Sequence, residues 1–226
     1  MSQSPKHIHL IGICGTAMGS TAVALKALGH HVSGSDDKVY PPMSDVLANA
    51  GIPVIAGFKP ENLPLDADVY VVGNAISRGN QELETLLEKK LPYVSMAEML
   101  KQQVIQGKRS FVVTGTHGKT TTTAMVIWLF QQLRIPVSYS VGAKLSFGGL
   151  GHFDPAASYF VYEADEYDRN FLSFSPEVSL ITGIDYDHPD IYKTRDEYYE
   201  AFKQFIAQSK NVVSHPEDMD KIGLLT

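Results

Sequence analysis

The chain has a single cysteine, Cys14, so no disulfide can close within it, which fits a reducing compartment. It has no basic excess: 19 lysines and arginines stand against 25 acidic residues, a formal charge of -6, and this argues against a nucleic-acid surface. It also lacks an apolar run of membrane-spanning length. The apolar stretch after Lys6 is broken by His9, Gly12 and Gly15, and no cleavage site of small residues follows it, so a signal peptide is not expected. Internal repeats and low-complexity segments are missing too. The expected setting is the cytoplasm, with neither nucleic acid nor membrane as partner. None of these absences excludes an anionic ligand, because backbone amides at a helix N-terminus hold phosphate without net positive charge.

What is present is an alternation of strand and helix. "HIHLIGI" reads as a buried strand and "GTAMGSTAVALKALG" as a helix with Gly29 as its C-cap. "HHVSGSD", "IPVIAG", "ADVYVVGNA" and "LPYVS" read as further strands, with helices at "MSDVLANAG", "NQELETLLEKK" and "MAEMLKQQV". A polar patch at "IQGKRS" marks a boundary. The pattern then restarts with "SFVVTG", the helix "KTTTTAMVIWLFQQL", the strand "IPVSYSVG", a glycine-rich loop, and two strands, "SYFVYEA" and "EVSLITG". Thr194 and Glu197 form a capping box for the next helix, whose Tyr198, Ala201, Phe202, Phe205 and Ile206 are expected in the core. "NVVSHPEDMDKIGLLT" begins one more strand and helix. The fold class expected is α/β: a Rossmann-like parallel sheet over residues 1–105, then a partial P-loop ATPase-type α/β domain over 108–226.

"VVTGTHGKTTTTA" has the strand–loop–helix setting that a phosphate-binding loop requires. The first turn of a helix leaves amide hydrogens unpaired, and the helix dipole adds partial positive charge there. Gly115, Thr116, His117, Gly118, Lys119, Thr120 and Thr121 are therefore the candidate ATP-binding residues. Lys119 would carry charge to the terminal phosphates, and Thr120 would offer its hydroxyl to magnesium. The glycine that usually opens such a loop is replaced by Val113, and only Thr116 and His117 separate the two glycines. A magnesium ion needs hard oxygen ligands. "YFVYEADEYD" offers Glu163, Asp165, Glu166 and Asp168, and "GIDYDHPD" offers Asp185, Asp187, His188 and Asp190. Lys119, Glu163 and His188 all follow strands, so one parallel sheet could bring them to a common rim. They are the candidate catalytic residues, with the Thr120 hydroxyl and a carboxylate such as Glu163 as candidate metal ligands. Taken singly, each acidic segment reads better as a solvated loop, and the histidine before proline as structural; only together on one sheet edge do they favour a Mg-ATP site.

Near the N-terminus "GICGTAMG" spaces Gly12, Gly15 and Gly19 between the first strand and helix, which is not the dinucleotide G-x-G-x-x-G. Asp36 ends the second strand, where a Rossmann protein meets a ribose hydroxyl. A diphosphate on this helix is expected, with Gly12, Gly15, Thr16, Met18, Gly19, Asp36 and, from "GNAISRGN", Asn74, Ser77 and Arg78 as substrate residues. The alternatives are glycines that merely permit close helix–sheet packing and a plain surface loop at Arg78.

Together and in this order, "GICGTAMG", "SGSD", "GTHGKTTTT", "YEADEYD" and "DYDHPD" resemble the Mur ligases, ATP-dependent amide-forming enzymes of peptidoglycan synthesis. The resemblance implies an N-terminal domain for UDP-N-acetylmuramate, a central ATPase domain and a C-terminal domain for the incoming amine. It also implies two cofactors, ATP and Mg2+. Lys119 would bind ATP phosphates, Thr120 and Glu163 one magnesium, and His188 a second. Many relatives place asparagine at the position of Gly183. "YPPMSDVL" and "GNAISRGN" look more like a ligase that reattaches L-alanyl-γ-D-glutamyl-meso-diaminopimelate; "DEYDRNFLSFSPEVSLITGIDYDHPD" looks more like one that adds L-alanine, the reading preferred. Family members are about twice this long, so the third domain is expected to be absent and the chain inactive by itself. Two readings of other classes stay open: an NAD(P)-dependent oxidoreductase and a non-catalytic nucleotide-binding regulator.

Overall fold

The computed structural model describes residues 4–225. Residues 1–3 and 226, which the expected domains include, lie outside it, as does the side chain of Asp168. The chain divides into two compact units, one ending at Val104 and the other beginning at Ile105.

In the first unit five parallel strands lie in the order β3-β2-β1-β4-β5. They are β1 (His7–Ile11), β2 (His31–Asp36), β3 (Val54–Ala56), β4 (Val69–Val72) and β5 (Tyr93–Ser95). Ile8, His9, Leu10 and Ile11 are all buried, which marks β1 as a central strand covered on both faces. Chain order reverses at β1, so the carboxyl ends of β1 and β4 flank a topological switch point. Helix α1 (Thr16–Ala27) buries Met18, Ala22 and Leu25, three residues at helical spacing. It packs on α2 (Met43–Asn49) at Gly19, where an added Cβ would run into the Met43 thioether. Asn80 caps α3 (Gln81–Lys89) by accepting from the amides of Glu82 and Leu83, and Lys90, at φ 53°, ends it where glycine is usual. The helix expected at "MAEMLKQQV" is only partly α: α4 covers Met96–Met99, and Leu100–Ile105 widens into a π-helical turn.

The second unit is a six-stranded sheet in the order β11-β10-β6-β9-β7-β8. Its strands are β6 (Arg109–Thr114), β7 (Val137–Ser140), β8 (Gly151–His152), β9 (Tyr159–Glu163), β10 (Val178–Ile181) and β11 (Asn211–Ser214). All pair in parallel except β8, which turns back antiparallel on β7 inside the segment expected to be loop. Helix α5 (Lys119–Gln132) follows β6, α6 (Arg195–Ala207) follows β10, and α7 (Pro216–Lys221) follows β11. A short 3-10 helix, Tyr167–Ser173, was also not expected. On α6, Tyr198, Ala201, Phe202 and Phe205 are buried as expected; Phe202 and Phe205 pack on Phe171. Thr194 accepts from the Glu197 amide, while the Glu197 carboxylate returns to the Lys193 amide. The outward side of α5 exposes Met125, Trp128, Leu129 and, just past the helix, Leu133.

Candidate functional site

Strand order answers the question left by the sequence, for β6 lies between β9 and β10. The loop after β6 therefore has the carboxyl end of β9 on one side and that of β10 on the other.

Toward β10 the loop is pinned by backbone contacts. Gly115 has φ 131°, and an added Cβ would lie 2.6 Å from Thr182 Oγ1 and under 3 Å from the Gly183 backbone. No other residue type fits there. The Thr116 amide donates to Gly183 O at 3.0 Å, and Thr182 Oγ1 donates to His117 O. Thr116 Oγ1 lies 2.9 Å from the Tyr198 hydroxyl and donates to Asp185 O at 2.8 Å. Tyr198, expected only as core, thus also holds the loop through its polar end. Gly118, at φ 79°, starts α5 with no side chain over the first-turn amides. His117 is exposed and Thr121 faces solvent from the first turn.

Toward β9 the contacts run through side chains. Thr120 Oγ1 donates to Glu163 Oε1 at 2.8 Å, and Glu163 Oε2 accepts from the Gly142 amide at 2.9 Å. An added Cβ at Gly142 would come 2.7 Å from Glu163 Oε1, so a glycine that went unremarked in the sequence sets how close this carboxylate lies. Lys119 does not pair with Glu163. Its Nζ donates to Gly115 O at 2.8 Å and to Glu166 Oε2 at 2.9 Å.

Glu166 is one of four neighbouring acids, and no local pattern singles it out. It is fully buried. Its Oε1 makes no hydrogen bond among the described residues, and His188 Nε2 lies 3.5 Å away. Burial pushes the Glu166 carboxyl above the usual carboxylate range, and the Lys119 ammonium pulls it partly back. His188 reaches this place with a left-handed backbone, φ 57°, uncommon for a residue with a side chain. Its carbonyl accepts from the amides of Ile191 and Tyr192, closing a turn, and the Tyr192 hydroxyl donates to Glu166 O at 2.6 Å. Tyr167 packs edge-on against the imidazole and donates to Asp190. The expected trio is thus brought to one rim but divided: Thr120 with Glu163, and Lys119 with Glu166 and His188.

Do these groups fit magnesium? An octahedral ion with oxygen ligands at about 2.1 Å places neighbouring ligands about 3 Å apart. Thr120 Oγ1 and Glu163 Oε1, 2.8 Å apart, match that spacing closely. Asp165, Glu166 and His188 form a second group whose donor atoms lie within 4.8 Å of one another. The first pair fits a hard divalent cation as it stands, and in the second group Glu166 Oε1 and His188 Nε2, 3.5 Å apart, come near the same spacing.

In the first unit, Gly12 (φ 83°) turns the chain off β1, and the amides of Gly12 and Ile13 donate to Ser35 O. Gly15 is the N-cap of α1 and has no side chain to cover the amides that follow, from Thr16 onward. Asp36 accepts from the amides of Cys14 and Lys38, so here its carboxylate braces the glycine loop. Burial and the Asp36 charge push the Cys14 thiol up to about 11, far from a reactive thiolate. Met18 and Gly19 are buried, Met18 beneath Gly15 and Gly73 and Gly19 against Met43 of α2. Asn74, Ser77 and Arg78 are exposed after β4, and Arg78 Nε pairs with Glu84 at 3.0 Å.

Fold and rim together define an α/β chain with a Rossmann-like unit followed by a P-loop-type unit. Residues 7–107 match the Mur ligase family catalytic domain, and residues 113–221 match the Mur ligase middle domain. The chain belongs to the Mur ligase family. It is 39% identical over 194 residues to the Haemophilus influenzae UDP-N-acetylmuramate–L-alanyl-γ-D-glutamyl-meso-2,6-diaminoheptandioate ligase, covering 83% of this chain and 43% of that one. It is 38% identical over 214 residues to the Lactobacillus johnsonii UDP-N-acetylmuramate–L-alanine ligase, covering 94% and 47%. A solved ligase of the first kind from Neisseria meningitides superposes with a TM-score of 0.89 at 34% identity, over 96% of this chain and 75% of that one. An alanine ligase from Thermotoga maritima gives 0.85 at 28%, over 97% and 50%. The chain spans less than half the length of these curated relatives. Among the described residues no helix is long and apolar enough to cross a membrane.

Proposed function

We propose that the protein is a cytoplasmic, ATP-dependent ligase of peptidoglycan synthesis. It would join the lactyl carboxylate of UDP-N-acetylmuramate to an amine through an acyl phosphate. One observation carries this reading: β6 brings Lys119 and Thr120 to the rim between β9, which brings Glu163 and Glu166, and β10, which leads to His188.

The electrostatic difficulty of the reaction is the approach of a carboxylate to a phosphate, two anions. Lys119, held on Gly115 O and Glu166, keeps a third N–H for a phosphate oxygen. The open amides at Gly118 and the start of α5 add partial positive charge. Thr120 with Glu163, and His188 with its neighbouring acids, would hold magnesium, which when bound supplies Lewis-acid charge to phosphate oxygens. The amine then attacks the acyl carbon and phosphate leaves, a step that needs no side-chain nucleophile and so none from Cys14. Gly12, Gly15 and Thr16 would hold the UDP diphosphate, with Asp36 toward the uridine and Asn74, Ser77 and Arg78 on the same rim.

L-alanine is the amine in the first reading. The tripeptide L-alanyl-γ-D-glutamyl-meso-diaminopimelate is the second, favoured by the 39% identity and the TM-score of 0.89. Choice of amine is assigned to sequence that the relatives have and this chain does not span. Calorimetric titration tests the reading: UDP-N-acetylmuramate should bind at least tenfold tighter than UDP-N-acetylglucosamine, which lacks the lactyl carboxylate. Failure to bind either, or tighter binding of NADH by fluorescence, would replace the ligase reading with the oxidoreductase one.

A further inference from the structure

We propose that Glu166 is the carboxylate through which this site couples a divalent cation to Lys119: Oε1 joins Asp165 and His188 in holding the cation, while Oε2 anchors the ammonium. The inference deepens the ligase reading and rests on it for the nucleotide, though not for the cation.

Three observations support it. Glu163 belongs to a different pair: one oxygen accepts from Thr120 Oγ1 and the other from the Gly142 amide, so it is not a donor of the His188 group. Among the described residues, the group of three His or carboxylate donors within 4.8 Å of one another is Asp165, Glu166 and His188. Glu166 Oε1 is fully buried, has no hydrogen bond among the described residues, and faces His188 Nε2 at 3.5 Å. A buried oxygen without a donor is costly and calls for a partner; a divalent cation shared with an imidazole and a second carboxylate would provide one. The 3.5 Å separation is within a few tenths of an ångström of the cis-ligand spacing of about 3.1 Å for an ion with bonds of about 2.2 Å. The other carboxylate oxygen remains on Lys119.

This arrangement has a consequence for nucleotide binding. Lys119 is the cation of the loop, and Glu166 offsets its charge at 2.9 Å. A triphosphate arriving without a metal meets a neutralised lysine and the carboxylates of Glu163 and Asp165. Arriving with the ion, it meets a site whose excess negative charge has been cancelled. Glu166 thereby makes nucleotide affinity depend on the divalent cation, and it acts as a positioning residue for Lys119 and His188.

Mn2+ is the probe, counted by electron paramagnetic resonance on the 226-residue chain without nucleotide. Glu166→Gln should weaken Mn2+ binding at least tenfold, and Glu163→Gln should weaken it less. Glu177→Gln, at the opposite strand ends and paired with Arg109 and Lys210, should leave it unchanged. Lys119→Met should tighten it, because a neighbouring positive charge is gone. Opposite signs at Glu166 and Lys119 separate a shared-charge device from simple loosening, which would weaken both; circular dichroism melts confirm that each variant is folded. Equal loss in both variants, or a larger loss in Glu163→Gln, overturns the proposal. A parallel titration with ATP and Mg2+ tests the ligase reading by itself: MgATP binding without this Mn2+ pattern sinks the proposal alone. The Mn2+ pattern without binding of either MgATP or UDP-N-acetylmuramate sinks the ligase reading and leaves the cation site standing.

Discussion

Removing Lys119 leaves a fully buried carboxylate without its ammonium. In the folded protein Glu166 has no exposure and the Lys119 side chain keeps only 19%. Solvent therefore screens this pair little. Breaking a buried pair by deleting one partner typically costs about 3 kcal/mol or more, because the remaining charge is stranded, whereas deleting both is close to neutral. Lys119→Met should thus lose about 3 kcal/mol at pH 7.5, Glu166→Gln about 1 kcal/mol, and the double variant far less than their sum. A coupling of about 3 kcal/mol is expected. The pH dependence has a definite sign. Burial already places the folded-state pKa of Glu166 above its ordinary value, and losing Lys119 removes the largest opposing influence. A carboxyl raised in this way favours the fold fully below its unfolded pKa and loses that contribution as pH rises through the folded one. The Lys119→Met deficit should therefore shrink between pH 7.5 and pH 5. Trp128, the sole tryptophan, lies on α5 in the same unit, so urea unfolding followed by its fluorescence reports the right domain. Additive losses, or a deficit unchanged by pH, would refute the reasoning.

Three further expectations follow from the geometry. Gly115→Ala drives a methyl into the Gly183 backbone at a φ of 131° and should cost about 3 kcal/mol, with loss of MgATP binding; Gly183→Asn, whose Cβ meets nothing within 4 Å, should stay within about 0.5 kcal/mol of wild type in the same urea assay. Burial first, and His7 next, push His9 down to about 4, so the first unit should lose up to about 3 kcal/mol as pH falls from 6.5 toward 4; His9→Leu should flatten that decline in circular-dichroism unfolding curves. Asn80→Ala strands the amides of Glu82 and Leu83 and should cost about 1 kcal/mol, read as a lowered urea midpoint of the first unit.

Much of this protein was legible in the order of its residues. Apolar runs such as Ile8–Ile11 and Val112–Val113, bounded by glycines and followed by helical spacing, determine a parallel α/β sheet, because only such sheets bury both faces of a strand. Spacing also put Lys119 and Thr120 at a helix mouth, since that depends on neighbours in sequence alone. Other features depended on strand order and on atoms meeting across the fold. Only the sheet order put β9 and β10 on either side of β6, and only side-chain packing chose Glu166 over Glu163 as the partner of Lys119. Tyr198 reaching Thr116 across 82 positions, and Gly142 making room for Glu163, follow the same rule. Local pattern carries periodicity and turn chemistry, but which of four adjacent acids is buried beside a lysine is a matter of three-dimensional exclusion, and the sequence holds no period that encodes it.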